Sequence, residues 1–298
     1  MSNLPLSKGR KERPDFIVIY GVPGVGKSTF ASGAPSPLFI DIEDGSAEID
    51  TTRIEADHLR DFHSVASLMK EAMGSDFKTI VIDSLSKLEK LIWDATCKRK
   101  PVKGKVHKSI EDFGFKQGYI FCLDEWQEFI DICEELRNAG KNVILIAHNV
   151  VKNFNDPTLT EPYARYELEL HAKASSLIKK QIDAVLFANY KTLVNNGKGL
   201  ETGQRVIHTE RRPGHDGKNR FGLPYEVDLS YPAYCEAKKS SMVTPDVLKR
   251  QIEGLLIEIS DEATSSKIKE AISKDLDVAT LKNYLHRVEI IIGQKEGE

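Results

Sequence analysis

The segment Gly21-Val22-Pro23-Gly24-Val25-Gly26-Lys27-Ser28 has the residue types and spacing to hold a chain of phosphates. It fits G-x-x-x-x-G-K-[ST] at every position, and the apolar run Phe16–Tyr20 leads into it. Ser28, Thr29, Phe30 and Ala31 then open a helix. Glycines let backbone N–H groups wrap an anion, and the start of a helix adds partial positive charge. Lys27 has the reach for β- and γ-phosphates, and the Ser28 hydroxyl is a ligand for Mg²⁺. Gly21 through Thr29 are therefore the expected nucleotide-binding residues, with ATP as the ligand and Mg²⁺ as its cation.

Mg²⁺ at Ser28 needs a carboxylate close by. Thr79-Ile80-Val81-Ile82-Asp83 is an apolar strand ended by an acid, which makes Asp83 the expected metal-side residue, acting directly or through a water. The next residue is Ser84, so an acid that orients or activates water must come from elsewhere. Glu43, at the end of Leu38-Phe39-Ile40-Asp41-Ile42-Glu43, is the best candidate.

The elements that must position these groups are legible as short apolar runs alternating with helical periods. Strands are expected at Phe16–Tyr20, Leu38–Ile42, Thr79–Asp83, Asn142–Ala147 and Ala184–Ala188. Apolar residues recur at helical spacing from Leu59 to Met73 and from Phe115 to Ala139, with Gly74 and Gly140 as stops. This alternation predicts a mostly parallel α/β sheet between helices, with sites at the carboxyl ends of its strands. Asn195-Asn196-Gly197-Lys198-Gly199 reads as a turn between Tyr190–Val194 and Gln204–Thr209, which predicts a hairpin at the sheet edge. Residues 238–244 read as a hinge. Beyond them, amphipathic patterns at 245–259, 263–274 and 278–291 predict a small helical C-terminal domain. The expected domains are a flexible leader at 1–13, a core at 14–239 and the acidic helical unit at 240–298.

From this point the chain resembles a family. Phe39–Glu43 looks like the strand of RecA-type recombinases that carries their catalytic glutamate, and Ile80–Ser84 is similar to their metal-side strand, serine included. Val143–Asn149 resembles their γ-phosphate sensor strand. That family usually has Asn-Gln where this chain has His148-Asn149, and the resemblance implies His148 as the sensor, with Asn149 second. Lys218-x-Arg220-x-Gly222 looks like the segment by which hexameric replicative helicases reach a neighbouring subunit's γ-phosphate. The resemblance covers residues 14–230 and is strongest to phage Sak-type short RecA-like single-strand annealing ATPases. It implies a RecA-like core, ATP hydrolysis at interfaces of a homo-oligomer (ring or filament), and catalytic roles for Lys27, Glu43, His148, Lys218 and Arg220.

The net charge of −3 hides a local feature. Residues 98–108 hold six cations, Lys98, Arg99, Lys100, Lys103, Lys105 and Lys108, and no acid. In the RecA arrangement this loop and the one from Asn149 to His171 face DNA. Cations tracking phosphate beside aromatic rings suit single-stranded DNA. For Phe115, Tyr119 and Trp126, helical spacing with apolar neighbours predicts core instead. Four scattered cysteines without a C-x-x-C pair suggest neither a zinc site nor a disulfide framework. No apolar run approaches the ~20 residues that span a bilayer, so a cytoplasmic protein without a membrane partner is expected, in the host cytoplasm if phage-encoded.

The leading expectation is a DNA-linked ATPase acting on single strands in phage-type recombination. Alternatives are a translocating helicase accessory, and a nucleotide-dependent loader or scaffold with weak turnover. In the last, the C-terminal helices recruit a single-strand-binding or replication protein. A small-molecule kinase leaves Glu43 and Lys218-x-Arg220 unexplained.

Overall fold

The structure is a computed structural model that describes residues 11–99, 104, 106–195, 198–242, 245–259 and 261–293. Strand β1 (Phe16–Gly21) is buried along its whole length. It lies between two parallel neighbours, β5 (Asn142–Phe154) and β7 (Ala184–Asn195). Past β5 come β4 (Thr79–Asp83), β2 (Pro37–Asp41) and β3 (Thr52–Ile54), all parallel. Past β7 come the antiparallel β8 (Lys198–His208) and β10 (Glu226–Asp228). The order is β10-β8-β7-β1-β5-β4-β2-β3. The expected edge hairpin is present as β7 and β8, with the short β10 outside it. Val, Ile and Leu fill β1, β4 and β5 because helices cover both faces of a parallel sheet.

Parallel neighbours require crossovers, which helices supply. These are α1 (Lys27–Ser32), α2 (Phe62–Ala72), α3 (Leu85–Arg99), α4 (Gly118–Phe121), α5 (Leu123–Asn138) and α6 (Ala172–Gln181). Asp61 caps α2 by accepting from Ser64 N, and Ser64 returns the bond to the Asp61 amide. Such a cap contributes about 1 kcal/mol. Phe16, Val18 and Tyr20 of β1 face the main core with Val65 and Met69 of α2, Leu88 and Ile92 of α3, and Trp126 and Phe129 of α5. Each such side chain stabilises the fold by about 1.5–3 kcal/mol on burial. Helix α7 (Tyr231–Met242) sets Tyr231 and Tyr234 against Phe30, at 5.6 and 5.9 Å between ring centroids.

Several expectations are corrected. Residues 115–139 are not one helix. Ser109 caps a short 3₁₀ turn (Ile110–Phe113), the backbone then takes positive φ at Gly114, Phe115 and Lys116, and α4 and α5 follow. Phe115 is fully exposed rather than core, whereas Trp126 is fully buried as expected. Tyr119 is half-buried and stacks on His171 at 4.1 Å. The stretch from Asn149 to His171 is not an open loop. Strand β5 continues to Phe154 and pairs antiparallel with β6 (Tyr163–Leu168), where Arg165 lies 3.9 Å over the Phe154 ring. The hinge at 238–244 is helical as far as Met242, because nothing between Tyr231 and Met242 after Pro232 breaks a helix. Residues 243 and 244 lie outside the described residues.

The chain divides into two compact units between Cys235 and Glu236. The second contains α8 (Pro245–Leu255), α9 (Glu262–Ser273) and α10 (Val278–Gly293). They share a small core of Leu248, Ile252, Leu256, Ile259, Ile272, Leu281 and Val288. Asp261 caps α9 through the amides of Ala263 and Thr264. Among the described residues no helix is long and apolar enough to cross a membrane.

Candidate active site

The phosphate loop leaves the end of β1 at Gly21, where only glycine fits. A Cβ there would lie 1.9 Å from the Ala188 carbonyl oxygen of β7. Gly24 and Gly26 take φ of +73° and +107°, which turn the loop back toward α1. Val25 is buried beneath the loop as its anchor. Lys27 Nζ donates to the carbonyls of Gly21 (3.0 Å) and Val22 (3.1 Å). Burial lowers the Lys27 pKa, against the opposing pull of Asp83 and Glu43.

Strand β5 separates β1 from β4, so Asp83 stands two strands from the loop. Ser28 spans the gap, its Oγ donating to Asp83 Oδ2 at 2.6 Å. Asp83 is buried, and burial raises its pKa to about 6. Asp41 and Glu43 add to that rise, and the Ser28 hydrogen bond and Lys27 oppose it. A hydroxyl and a carboxylate are hard oxygen donors of the kind Mg²⁺ takes beside phosphate oxygens and waters. The residues present fit that ion.

Glu43 follows β2 in a turn wound around Asp41. The Asp41 carboxylate accepts from the amides of Gly45 (3.1 Å) and Ser46 (2.8 Å) and from Ser46 Oγ (2.5 Å). The amides of Ile42 and Glu43 both donate to the Asp83 carbonyl, at 2.7 and 3.3 Å, tying the end of β2 to the end of β4. The Glu43 carboxylate accepts from Ser84 Oγ and meets His148 Nε2 at 2.9 and 3.2 Å. The His148 bond is the main cause of a lowered Glu43 pKa and a raised His148 pKa. The His148 amide donates to Ser86 Oγ at 3.2 Å, and Ser86 Oγ donates to the Glu169 carbonyl at 3.2 Å. Of the two sensor candidates, His148 is the one that contacts Glu43. Asn149 pairs with Leu168 in the hairpin, and its Oδ1 is buried without a hydrogen bond.

A groove of about 440 Å³ runs beside this cluster, with Glu43, Lys87, Glu89, Trp93, His148 and Lys152 among its lining. Glu89 is buried there, and burial raises its pKa to about 7. It accepts from the His171 amide at 2.9 and 3.1 Å. Sequence reasoning missed Glu89, Ser86, and the Asp41–Ser46 turn. Only the turn had a readable signal, its Asp-Gly-Ser run.

Lys218 and Arg220 lie away from this cluster. Strand β9 (Lys218–Asn219) pairs with β7 at Val185 and Ala184, whereas Gly21 is registered on Ala188, three residues further along β7. Lys218 Nζ donates to the carbonyls of Lys179 (2.6 Å), Lys180 (3.2 Å) and Ile182 (2.6 Å), which closes the end of α6. Arg220 donates to the Lys180 carbonyl at 3.1 Å and lies 3.6 Å from Asp183, with its side chain 52% exposed. Within one chain neither cation meets the phosphate loop.

Of the six-cation cluster, Lys98 and Arg99 belong to the last turn of α3. Arg99 pairs with Asp124 at 3.2 Å and with the buried Glu125 at 2.6 Å. Lys98 and Lys108 are exposed. Lys100, Lys103 and Lys105 lie outside the described residues.

The RadB recombinase is similar over 74% of this chain and 90% of its own, at 13% identity and a TM-score of 0.40. The flagellar accessory protein FlaH from Methanocaldococcus jannaschii is similar over 72% and 84%, at 12% identity and a TM-score of 0.33. No curated protein matches the sequence. The phosphate loop, both strand-end acids, His148 and the Lys218/Arg220 segment all fall within residues 13–221, over which the chain matches AAA_24, the AAA domain, and to that family it belongs.

Proposed function

We propose that this chain is an Mg²⁺-dependent ATPase of RecA-like type that acts on single-stranded DNA in phage-type recombination or annealing. The observation that carries the ATPase reading is the convergence of strand-end acids on the phosphate loop. Ser28 meets Asp83, and Glu43 stands close enough to perturb both Asp83 and Lys27. Backbone N–H groups within Gly21–Thr29, Pro23 excepted, and the Lys27 ammonium bind the phosphates. Ser28 and Asp83 would hold Mg²⁺, which when bound would supply charge stabilisation to the phosphate oxygens. Glu43 accepts a hydrogen bond from the attacking water, and Ser84 and His148 fix its carboxylate in place. His148, from the strand between loop and acid, registers what occupies the γ-phosphate position.

Lys218 and Arg220 serve the site of a neighbouring subunit, which makes turnover depend on assembly. Of the two, Arg220 has the freer cation. Lys98, Lys108 and the rest of the 98–108 cluster hold DNA by its phosphates, with exposed Phe115 nearby in sequence. Glu43 clamped by two partners, with its pKa lowered, is a weak base. That specific feature favours, as a second reading, a nucleotide-dependent loader with slow turnover.

The test is ATP hydrolysis with and without single-stranded DNA across a salt series. It compares wild type with a variant in which Lys98, Arg99, Lys100, Lys103, Lys105 and Lys108 are alanine. DNA-stimulated hydrolysis that the variant loses is expected. Hydrolysis indifferent to DNA in both overturns the recombination reading in favour of the loader.

A further inference from the structure

The hairpin of β7 and β8 presents two side chains to the phosphate loop from the side opposite the acids. Tyr190 of β7 is registered directly on Arg205 of β8, so both project from one face of the sheet. Ala188 shares that face, two residues before Tyr190, and is registered on Gly21. Tyr190 and Arg205 therefore stand one step past the end of β1, where the chain turns into the loop.

The contacts agree with that register. Arg205 Nη1 lies 3.2 Å from the point where a Gly26 Cβ would be. Its guanidinium lies 5.8 Å from the centre of the Tyr190 ring, and Tyr190 Oη donates to the Gly24 carbonyl at 3.4 Å. The Leu229 amide donates to the Arg205 carbonyl at 3.1 Å, which fixes the backbone beneath. Arg99, Arg137 and Arg165 each pair with a carboxylate. Among the described residues no carboxylate pairs with Arg205, and its side chain is exposed.

Position along the sheet distinguishes the two ends of a bound polyphosphate. Glu43 and Asp83 stand on the β5-β4-β2 side of β1, and Lys27 Nζ reaches back to Gly21 and Val22. That is the side for the reacting γ-phosphate. Arg205 stands on the β7-β8 side, against Gly26. We propose that Arg205 is a nucleotide-binding residue supplied by the same chain. Its guanidinium takes a phosphate oxygen at the α/β end of the triphosphate, and Tyr190 holds it there. This rests on the nucleotide reading of the loop and adds a cation that the loop motif does not contain.

The experiment titrates fluorescent ATP and ADP analogues, with Mg²⁺, into the full-length wild type and into Lys27→Ala, Arg205→Gln and Arg205→Lys. Thermal unfolding of each confirms folding. Arg205→Gln keeps the stem and the exposed position, so it is expected to melt with the wild type. Loss of one charge-assisted hydrogen bond should weaken ATP and ADP alike by about tenfold, with partial recovery in Arg205→Lys. Binding in the wild type with no change in Arg205→Gln overturns the proposal. Weakening of ATP alone overturns the assignment to the α/β end. A wild type and Lys27→Ala that both fail to bind overturn the nucleotide reading itself.

Discussion

Lys27 and Lys218 both donate their ammonium groups to backbone carbonyls, yet their surroundings differ in kind. Lys27 stands among acids whose charge the chain only partly compensates: burial holds Asp83 near pKa 6, and Glu89 in the adjoining groove near 7. Lys218 closes a helix end with three carbonyls in reach, and its neighbour Arg220 has Asp183 and shares one of those carbonyls, that of Lys180. The first region keeps buried charge at a cost to stability, as sites that must receive a cation and a polyanion do. In the second, backbone carbonyls and Asp183 meet the cations, although burial lowers the Lys218 pKa as well. Both were motif matches in sequence, and the balance of charge separates them.

That contrast can be broken by substitution, most severely at Glu43, the proposed catalytic acid. Glu43→Gln keeps the Ser84 and His148 contacts within reach and removes the base. ATP hydrolysis should fall by about 10²–10⁴-fold while ATP binding persists, read by steady-state phosphate release beside equilibrium titration. Lys27→Ala should lower turnover by about 10²–10³-fold and weaken binding as well. Equal loss of binding in both variants would merge two roles that the geometry keeps apart.

Stability should move in opposite directions in the two regions. Glu89 has a folded pKa above its unfolded value, so its charge opposes folding more and more as pH rises from about 4.5 to 7. Glu89→Gln keeps an acceptor for the His171 amide without the charge. It should stabilise the protein at pH 8 by up to about 3 kcal/mol, and the gain should vanish near pH 4. Denaturant midpoints at the two pH values measure this. Lys218→Ala should destabilise by about 1–2 kcal/mol, because it strands carbonyls at the end of α6. Arg220→Ala, at a half-exposed ion pair, should cost less than about 1 kcal/mol. If Arg220→Ala leaves the melt unchanged but abolishes concentration-dependent ATPase activity, its cation serves a neighbour.

Much of the site was legible because its parts are local. The glycines, lysine and serine of the loop are contiguous, and Asp83 and Glu43 each end an apolar run whose direction a parallel sheet fixes. What could not be read was contact across sequence. Nothing near Ser86 says that it receives the His148 amide, and nothing near Arg205 says that it rests on Gly26. The break within the expected helix from Phe115 to Ala139 has a local cause: the apolar period starts at Phe115, while positive φ at Phe115 and Lys116, just after Gly114, turns the chain outward. The missed hairpin has another. Residues 149–154 are only half apolar and none is fully buried, and their strand conformation depends on pairing with β6 rather than on burial.

Strand β5 carries His148 beside Glu43 and then runs on without a break to Phe154, locked to β6 by an unbroken ladder. At about 3.3 Å per residue, the hairpin's far pair sits roughly 20 Å from the imidazole. No flexible joint interrupts the ladder between them. A tilt of about 5° at His148 would therefore swing the far end by about 1.7 Å, roughly a third of the spacing between neighbouring strands. If His148 senses the γ-phosphate as proposed, the hairpin is a pointer whose pivot is the partner of Glu43, and loss of that phosphate is expected to displace its far end.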